Sequence, residues 1–410
     1  MSQYDSDNGK VIERRVWLND SERVTKICDL LPSNKGRQSL ISSLLSAYGL
    51  RERCYGIIGE YRASRQELAS YHDENFVDFL LQDRLRLDRT VSCELTHDFQ
   101  YTGASLASNH DTINDEISIS ESQRYGLVHD CYIFPFIGEY VRAVGGSSIA
   151  SAKTLIREAS SSIQNVVVNW YGGRHHCTKS RAAGYCYIND VVLAIGVLRK
   201  KFRRIFYLDL DLHHGDGVES GYEHSKNVFT CSIHRYDLGF YPGTGRMADS
   251  KSKKVNIPTR RGLSDNSLLY IIKNIVVPLI MGFEPEVIII QAGCDGLGTD
   301  THKEWNLTIK GFSQVLDFLL KEFEPIPFLI LGGGGYNHTE TAKCWAHATR
   351  TILGHNEEWD LIPEHSLLDE YEDDGYQFWT GINSAPMKKK DENDMPYLEE
   401  MKSYILNMHR

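Results

Sequence analysis

The sequence predicts a single α/β domain whose central, mostly parallel β-sheet is flanked by helices on both faces. From about residue 125 to about residue 355, near-continuous apolar segments alternate with segments of helical periodicity. Apolar runs of this kind are typical of parallel strands that are covered on both faces. The chain has 410 residues, of which 41% are hydrophobic and 24% are charged. It is therefore long enough for one large domain with an extensive core.

Five segments are predicted to be strands of this sheet, and each is followed by polar or glycine-rich sequence. They are IQNVVVNW, RRIFYLDLDLH, NVFTCSIH, PEVIIIQAGCD and FLILGGGGY. Residues 11–80, which precede them, have apolar residues at helical spacing and are predicted to be helical and compact. The polar, serine-rich residues 84–122 are predicted to form a surface insertion.

The two ends of the chain differ in character from its centre. Residues 1–13 are a polar tail, residues 14–383 are the predicted domain, and residues 384–410 contain a charged linker and an amphipathic helix. We expect this helix to pack against the domain, with a partner helix as the alternative. Its apolar face consists of Tyr397, Leu398, Met401, Tyr404, Ile405 and Met408.

The composition argues against several classes of protein. No apolar run approaches the length of a transmembrane helix, and the polar N-terminus lacks the apolar core of a signal peptide. We therefore expect an intracellular protein without a membrane partner. The nine cysteines include no CxxC pair, which indicates reduced thiols. The net charge of -10 argues against direct nucleic-acid binding and favours cationic partners such as lysine-rich protein tails.

Histidines and aspartates follow the predicted strands. If LDLDLHHGDG is a strand, its leucines lie on one side and Asp209, Asp211 and His213 on the other. YGGRHHCTKS adds His175 and His176 after another strand. Because ligands bind beyond the carboxyl ends of parallel strands, we expect these side chains to meet at one edge of the sheet. Such a cluster is costly unless it binds something.

Part of this cluster has the composition of a catalytic metal site. Asp211, His213 and Asp295 would supply two anionic oxygens and one neutral nitrogen. Such a set suits a divalent cation and leaves coordination positions open, which favours a catalytic role over a structural one. A water molecule activated by the metal would then be the nucleophile.

The remaining polar residues fit the other roles of a hydrolase. His175 and His176 are candidates for accepting and returning a proton, and Asp209 and Asp216 are the carboxylates that would orient them. Tyr336, in the glycine-rich segment GGGGYN, could donate a hydrogen bond to an oxyanion. The combination predicts metal-assisted hydrolysis of an amide.

Five motifs resemble those of a known family. GGRHH, YCYINDVVLAI, YLDLDLHHGDGVE, FYPGTG and LGGGGYN, in this order, are similar to the class I zinc-dependent histone deacetylases, which have the arginase/deacetylase fold. The resemblance covers residues 14–355. GGRHH, EWNLTIKG and the insertion resemble the fungal branch that deacetylates the ATPase subunit of cohesin. The resemblance implies hydrolysis of N6-acetyl-lysine in histones or cohesin. It also implies a nuclear location, with the cytoplasm as the alternative, and a corepressor or chromatin complex as the partner.

The resemblance also assigns roles in catalysis. It implies a zinc ion, with ferrous iron as the alternative, on three ligands: Asp211, His213 and Asp295. His176, paired with Asp216, would be the main general base and acid. His175, paired with Asp209, would contribute electrostatically, and Tyr336 would polarise the acetyl carbonyl.

Further residues are assigned to substrate and ion binding. Gly184, Tyr185 and Tyr241 would wall a tunnel for the lysine stem, and Asp130 would bind the substrate backbone at its rim. Arg37 matches the arginine of an interior cavity that handles acetate. A structural potassium ion is also expected. Its ligands would be the backbone oxygens of Asp209, Asp211 and His213, together with Ser232 and Ile233.

The sequence departs from the family pattern around the tunnel. The family usually has phenylalanine where this chain has Tyr185 and Tyr241, a leucine or methionine where it has His302, and a small residue where it has Cys294. A more polar tunnel should bind apolar linkers less well and change the substrate preference.

Three alternatives stay open. An arginase-like ureohydrolase needs two metals, whereas Gly296 follows Asp295 and only one complete site is visible. A deacetylase of acetylated polyamines would need a narrower entrance. A scaffold that binds chromatin partners without turnover is disfavoured because the candidate catalytic residues are all present. The lysine clusters SKSKK and MKKK are predicted to be solvated surface rather than nuclear-import signals.

Overall fold

The computed structural model describes residues 13–82, 119–385 and 389–409. In these residues the sheet has eight strands, in the order β2-β1-β3-β8-β7-β4-β5-β6, and each neighbouring pair is parallel. The predicted parallel α/β architecture is confirmed. The strands are β1 Glu13–Asn19, β2 Gly56–Ile58, β3 Ile163–Asn169, β4 Ile205–Asp209, β5 Val228–Arg235, β6 Lys254–Thr259, β7 Val287–Gln291 and β8 Phe328–Leu331.

Helices cover both faces of the sheet. In β3, Val166 and Val168 belong to the core on one face and Val167 to the core on the other, which explains the uninterrupted apolar sequence. The helices are α1 Glu22–Cys28, α2 Arg37–Ala47, α3 Leu50–Arg53, α4 Arg65–Leu68, α5 Glu74–Leu80, α6 Ile119–Arg124, α7 Ile137–Arg157, α8 Asp190–Leu198, α9 Asp216–Tyr222, α10 Asp265–Ile271, α11 Val277–Phe283, α12 Ile309–Glu322, α13 His338–Ile352 and α14 Met395–Met408.

All five predicted strands are present, but three others were not predicted. Two of these, β1 and β2, lie in residues 11–80, which were predicted to be helical, and that prediction was wrong at these two segments. The sequence of β1, ERRVWLN, is rich in charge, and β2 has only three residues. The sixth strand, KVNIPT, contains a proline, which a strand at the sheet edge tolerates.

The strand predicted through LDLDLH is shorter than expected. β4 ends at Asp209, so Asp211 and His213 lie in the loop that follows rather than on one face of a strand. The loop begins there because the carboxylates accept hydrogen bonds from nearby backbone amides: Asp209 Oδ1 from Asp211 N at 3.2 Å, and Asp211 Oδ1 from His213 N at 3.1 Å.

One helix in the described residues is long and apolar enough, by length and composition alone, to cross a membrane. It runs over Asp265–Phe283 and joins α10 to α11 through a π-helical turn at Ile272–Val276. Lys273 and Asn274 interrupt its apolar sequence, so inspection of apolar runs missed it. Half of the apolar window is buried, because its isoleucines pack into the main core.

The C-terminal helix α14 packs on the domain. Leu398, Met401 and Ile405 are buried in the main core, and Tyr397 Oη donates a hydrogen bond to the carbonyl of Pro258 at 2.6 Å. Tyr404, which was predicted on the same face, is exposed. The predicted insertion at 84–122 lies outside the described residues as far as residue 118. The cysteines of the described part are free thiols, as predicted.

Candidate active site

Four adjacent strands position the site. β3, β8, β7 and β4 are consecutive in the sheet, and their carboxyl ends therefore open onto one edge. The loops after them carry the predicted functional side chains. These are His175 and His176 after β3, Tyr336 after β8, Asp295 after β7, and Asp211 and His213 after β4.

The three predicted metal ligands converge. Potential ligand atoms of Asp211, His213 and Asp295 all lie within 4.8 Å of one another. His213 Nδ1 is 2.8 Å from Asp295 Oδ2 and 3.3 Å from Asp211 Oδ1. The three residues are buried, although they come from two loops that are 82 residues apart in sequence. No other described residues form such a set of three.

Hydrogen bonds hold the two carboxylates in place. Asp295 Oδ1 accepts a bond from Leu212 N at 2.9 Å. Asp211 Oδ2 accepts bonds from Gln291 Nε2 and Gly334 N, each at 2.8 Å. Each carboxylate thus has one oxygen held by fixed donors while its other oxygen faces His213, so the group is preorganised.

The electrostatics of this group fit a cation. Burial opposes a charge on His213, but its hydrogen bonds to Asp211 and Asp295 raise its pKa to about 10. Burial and the charge of Asp211 raise the pKa of Asp295 to about 6. Burial likewise opposes the ionised form of Asp211, yet the neighbouring histidines hold its pKa well below the usual value. The two buried carboxylates stabilise a positive charge on His213, and the same concentration of negative charge suits a divalent cation.

Two histidine–aspartate pairs stand beside the ligands. His175 Nδ1 is 2.8 Å from Asp209 Oδ2, which also accepts a hydrogen bond from Tyr207 Oη at 2.6 Å. His176 Nδ1 is 2.8 Å from Asp216 Oδ1. The two imidazole rings are 4.0 Å apart. Each histidine therefore has its Nδ1 fixed by a carboxylate, and His175 Nε2 lies 3.7 Å from Asp211 Oδ1.

The pKa values of the two histidines are shifted in opposite directions. Burial lowers the pKa of His175, but the charges of Asp209 and Asp211 outweigh this effect and raise the pKa to about 9. Burial and the positive charge of His175 lower the pKa of His176 to about 4. The directions of these shifts favour a charged His175 and a neutral His176, and a neutral imidazole is the form that accepts a proton.

The predicted tunnel residues lie around these histidines. The ring of Tyr241 is 5.0 Å from that of His176 and nearly perpendicular to it. Gly184 N donates a hydrogen bond to Asp130 Oδ2 at 2.9 Å, which connects the predicted rim residue to a predicted wall residue. Gly184 has a φ of +54°, and a Cβ there would lie 2.8 Å from Tyr241 Oη. Only glycine therefore fits this position.

Aromatic side chains surround Tyr336. The ring of Tyr336 is 5.8 Å from that of Tyr185 and 4.9 Å from that of His302. The His302 ring is also 5.0 Å from that of His213. Burial and the charges of Asp295 and Asp211 raise the pKa of Tyr336 well above its usual value. Its hydroxyl is therefore protonated at neutral pH.

Arg37 lies behind the glycine-rich loop and is fully buried. Its Nη1 donates hydrogen bonds to the carbonyls of Gly333 and Gly335 at 3.1 and 2.9 Å. Burial lowers its pKa to about 10. Of the residues predicted to bind potassium, Ser232 is the partner of Asp209 in the β4–β5 register, so both lie at the same level of the sheet.

Sequence analysis missed three residues of the site. The Phe240 ring stacks on that of His213 at 5.4 Å, and Gln291 holds Asp211. Asp300 is buried and accepts a hydrogen bond from Tyr336 N at 2.7 Å. Gln291 could have been noticed because it is the first polar residue after the apolar run Val287–Ile290. For Asp300, the only signal was its position two residues before His302.

Comparison with known proteins identifies the family. The family model described as the histone deacetylase domain matches residues 31–352. This chain belongs to the histone deacetylase family. Histone deacetylase HOS1 of Saccharomyces cerevisiae is 32% identical, and the match covers 93% of this chain and 97% of that protein. Histone deacetylase 8 of Xenopus tropicalis is also 32% identical, over 94% and 95% of the two chains.

Histone deacetylase 1 of Homo sapiens is 32% identical over 91% of this chain and 70% of its own. These relatives and the eight-stranded parallel sheet confirm the class I resemblance and the arginase/deacetylase fold. This deacetylase is therefore an enzyme, a hydrolase of acetyl-lysine amide bonds, rather than a scaffold. The single set of three possible ligands in the described residues agrees with a deacetylase rather than a two-metal ureohydrolase.

Proposed function

We propose that this deacetylase is a zinc enzyme that hydrolyses N6-acetyl-lysine in the ATPase subunit of cohesin or in histone tails. The observation that carries the proposal is the convergence of Asp211, His213 and Asp295 within 4.8 Å, beside the His175–Asp209 and His176–Asp216 pairs. Cohesin as a substrate is supported by the motifs GGRHH and EWNLTIKG. Zinc suits the mixed nitrogen and oxygen ligands, and ferrous iron is the alternative metal.

The protein residues divide the proton transfers between them. Asp211, His213 and Asp295 would hold a divalent cation, which would supply Lewis-acid activation of water and of the amide carbonyl. His176, neutral and oriented by Asp216, accepts the proton of the attacking water and then delivers it to the lysine nitrogen as the C–N bond breaks. The second proton of the water also passes to the lysine nitrogen, so the products are acetate and the lysine ammonium ion. His175 keeps its proton, and its positive charge stabilises the developing oxyanion.

Tyr336 is the proposed oxyanion donor. Its hydroxyl is protonated at neutral pH, since its pKa lies well above the usual value, and its backbone amide donates a hydrogen bond to Asp300 Oδ2 at 2.7 Å. A hydrogen bond that forms fully only in the transition state is worth about 100-fold or more in kcat. Tyr336→Phe removes this donor while it keeps the ring that contacts Tyr185 and His302.

Substrate binding follows from the walls of the site. Gly184, Tyr185 and Tyr241 would enclose the lysine stem, with His302 beside them. Asp130 uses Oδ2 to accept the amide of Gly184, so its Oδ1 remains for an amide of the substrate backbone. Arg37 would neutralise the acetate product behind the loop.

A structural potassium ion is proposed near the end of β4. Its ligands would be the backbone oxygens of Asp209, Asp211 and His213 together with Ser232 and Ile233. We also propose that the enzyme acts in the nucleus, with a chromatin or corepressor complex as its partner. The names of the related histone deacetylases support this location.

The test uses the purified chain loaded with zinc. Acetylated cohesin and histone-tail peptides and an acetylated polyamine are compared by acetate release. We expect turnover of a protein peptide, and loss of both metal binding and turnover in Asp211→Asn. The matched control is Asp265→Asn, which removes a carboxylate whose hydrogen-bond partners are Thr308 N and Oγ1. Full activity of Asp211→Asn, or turnover of the polyamine alone, would overturn the proposal.

A further inference from the structure

Asp300 connects the two loops that frame the mouth of the site. Its side chain is 1% exposed, and its two oxygens serve different loops. Oδ2 accepts hydrogen bonds from the backbone amides of Tyr336 at 2.7 Å and Asn337 at 3.3 Å. Oδ1 accepts them from His302 N at 3.0 Å and lies 2.9 Å from His302 Nδ1. A buried carboxylate with this many donors is a fixed anchor.

The segment before Tyr336 needs such an anchor. Tyr336 follows a run of four glycines, and Gly335 has a φ of +135°. Residues with a Cβ rarely adopt this conformation, and glycines leave the backbone many alternatives. The chain on its own therefore does not fix the direction of the phenol. A second bond between the same loops, from Asn337 Nδ2 to the carbonyl of Thr299 at 3.0 Å, supports the connection that Asp300 makes.

His302 extends this anchor to the ring of Tyr336. Its Nδ1 is occupied by Asp300, so the ring plane is held, and the ring lies 4.9 Å from that of Tyr336 at 61°. The His302 ring also lies 5.0 Å from the ring of His213. The side chain is one-third exposed. A held ring of this kind limits the positions that the phenol can take.

We infer that Asp300 is a positioning residue for Tyr336 and that it acts through the backbone amide of Tyr336 and through the ring of His302. This inference rests on the proposed role of Tyr336 as oxyanion donor and adds the residue that aims it. Asp300→Asn keeps the shape of the side chain. It replaces one accepting oxygen by an NH2 group, which cannot accept a bond from either loop.

A double-mutant cycle tests the inference in the zinc-loaded full chain. We expect Asp300→Asn to lower kcat about tenfold or more, with KM and zinc content unchanged, because misplacement of a catalytic group by a fraction of an ångström is costly. In the Tyr336→Phe background the same substitution should change kcat less than about twofold, since no donor remains to be aimed. A purely structural role would lower kcat by the same factor in both backgrounds.

Two further measurements keep the result decisive. If Asp300→Asn does not fold, His302→Phe keeps a ring but lacks the Nδ1 donor, and its effect should likewise vanish in Tyr336→Phe. Asp265→Asn should leave kcat unchanged. If Asp300→Asn lowered kcat by the same factor in both backgrounds, or did not lower it at all, this inference would be overturned while the proposed role of Tyr336 would stand. A wild-type kcat in Tyr336→Phe would instead overturn the proposed role of Tyr336, and this inference with it.

Discussion

Substitution of Gly184 by alanine tests the geometry of the tunnel directly. The residue has a φ of +54°, and an added Cβ would lie 2.8 Å from His176 Cγ and 2.8 Å from Tyr241 Oη, with His176 Cδ2 nearer still. Ordinary contact begins at 3.4 Å. Relieving the Cγ contact alone requires a shift of 0.6 Å, and the closer Cδ2 requires a larger one, unless the backbone at Gly184 moves.

This shift has a predictable effect on catalysis. His176 is held by Asp216 at 2.8 Å, and its displacement changes the direction in which its free nitrogen faces the substrate. A misplacement of about 1 Å costs about 100-fold, so we expect kcat/KM to fall at least about tenfold. The left-handed backbone adds a cost of about 1 kcal/mol to folding stability. Zinc content should not change, because the ligands lie elsewhere.

Acetate release from an acetyl-lysine peptide, zinc analysis and urea unfolding measure these effects. Gly354→Ala is the matched control, since Gly354 also has a left-handed φ, +79°, but has no atom within 4 Å of an added Cβ. It should lose about the same stability and retain its activity. If Gly184→Ala had wild-type kcat/KM, or if Gly354→Ala lost as much activity, the steric reasoning would be wrong.

Two further predictions concern pH and inhibitor binding. Burial lowers the pKa of His72 to about 4, and its neutral ring lies 3.0 Å from Asn189 N and 3.1 Å from the carbonyl of Lys179. The unfolded chain binds a proton from about pH 6.5 downward and the folded one does not, so this histidine should lower the free energy of unfolding by about 2 kcal/mol between about pH 7 and about pH 5. His72→Gln should show a shallower loss in urea titrations, and an equal slope would contradict this. Tyr185→Phe combined with Tyr241→Phe should bind an aliphatic-linker hydroxamate about tenfold more tightly than the wild type, because two hydroxyls no longer need solvation; equal dissociation constants by calorimetry would show that the hydroxyls do not matter.

The sequence alone determined the strands of the sheet centre and the identity of the metal-site residues. The central strands are apolar on both faces because helices cover both faces, and that pattern is readable without coordinates. Polar residues directly after such strands had to meet at one edge, since parallel strands share it. Local sequence therefore predicted the three proposed ligands, the two histidines, their two candidate aspartates and Tyr336, while the pairing of each histidine with one aspartate came from the family resemblance.

Tertiary structure decided what depends on neighbours that are distant in the chain. The edge strands β2 and β6 and the neighbouring β1 are short or rich in polar residues, and their pairing depends on the adjacent strand rather than on their own sequence. The opposite pKa shifts of His175 and His176 arise from burial and from which charges surround each ring. Asp300 acquires its partners only when its loop packs against that of Tyr336, 36 residues later. Local sequence specifies chemical groups, whereas distances and desolvation, which determine their reactivity, exist only in the folded chain.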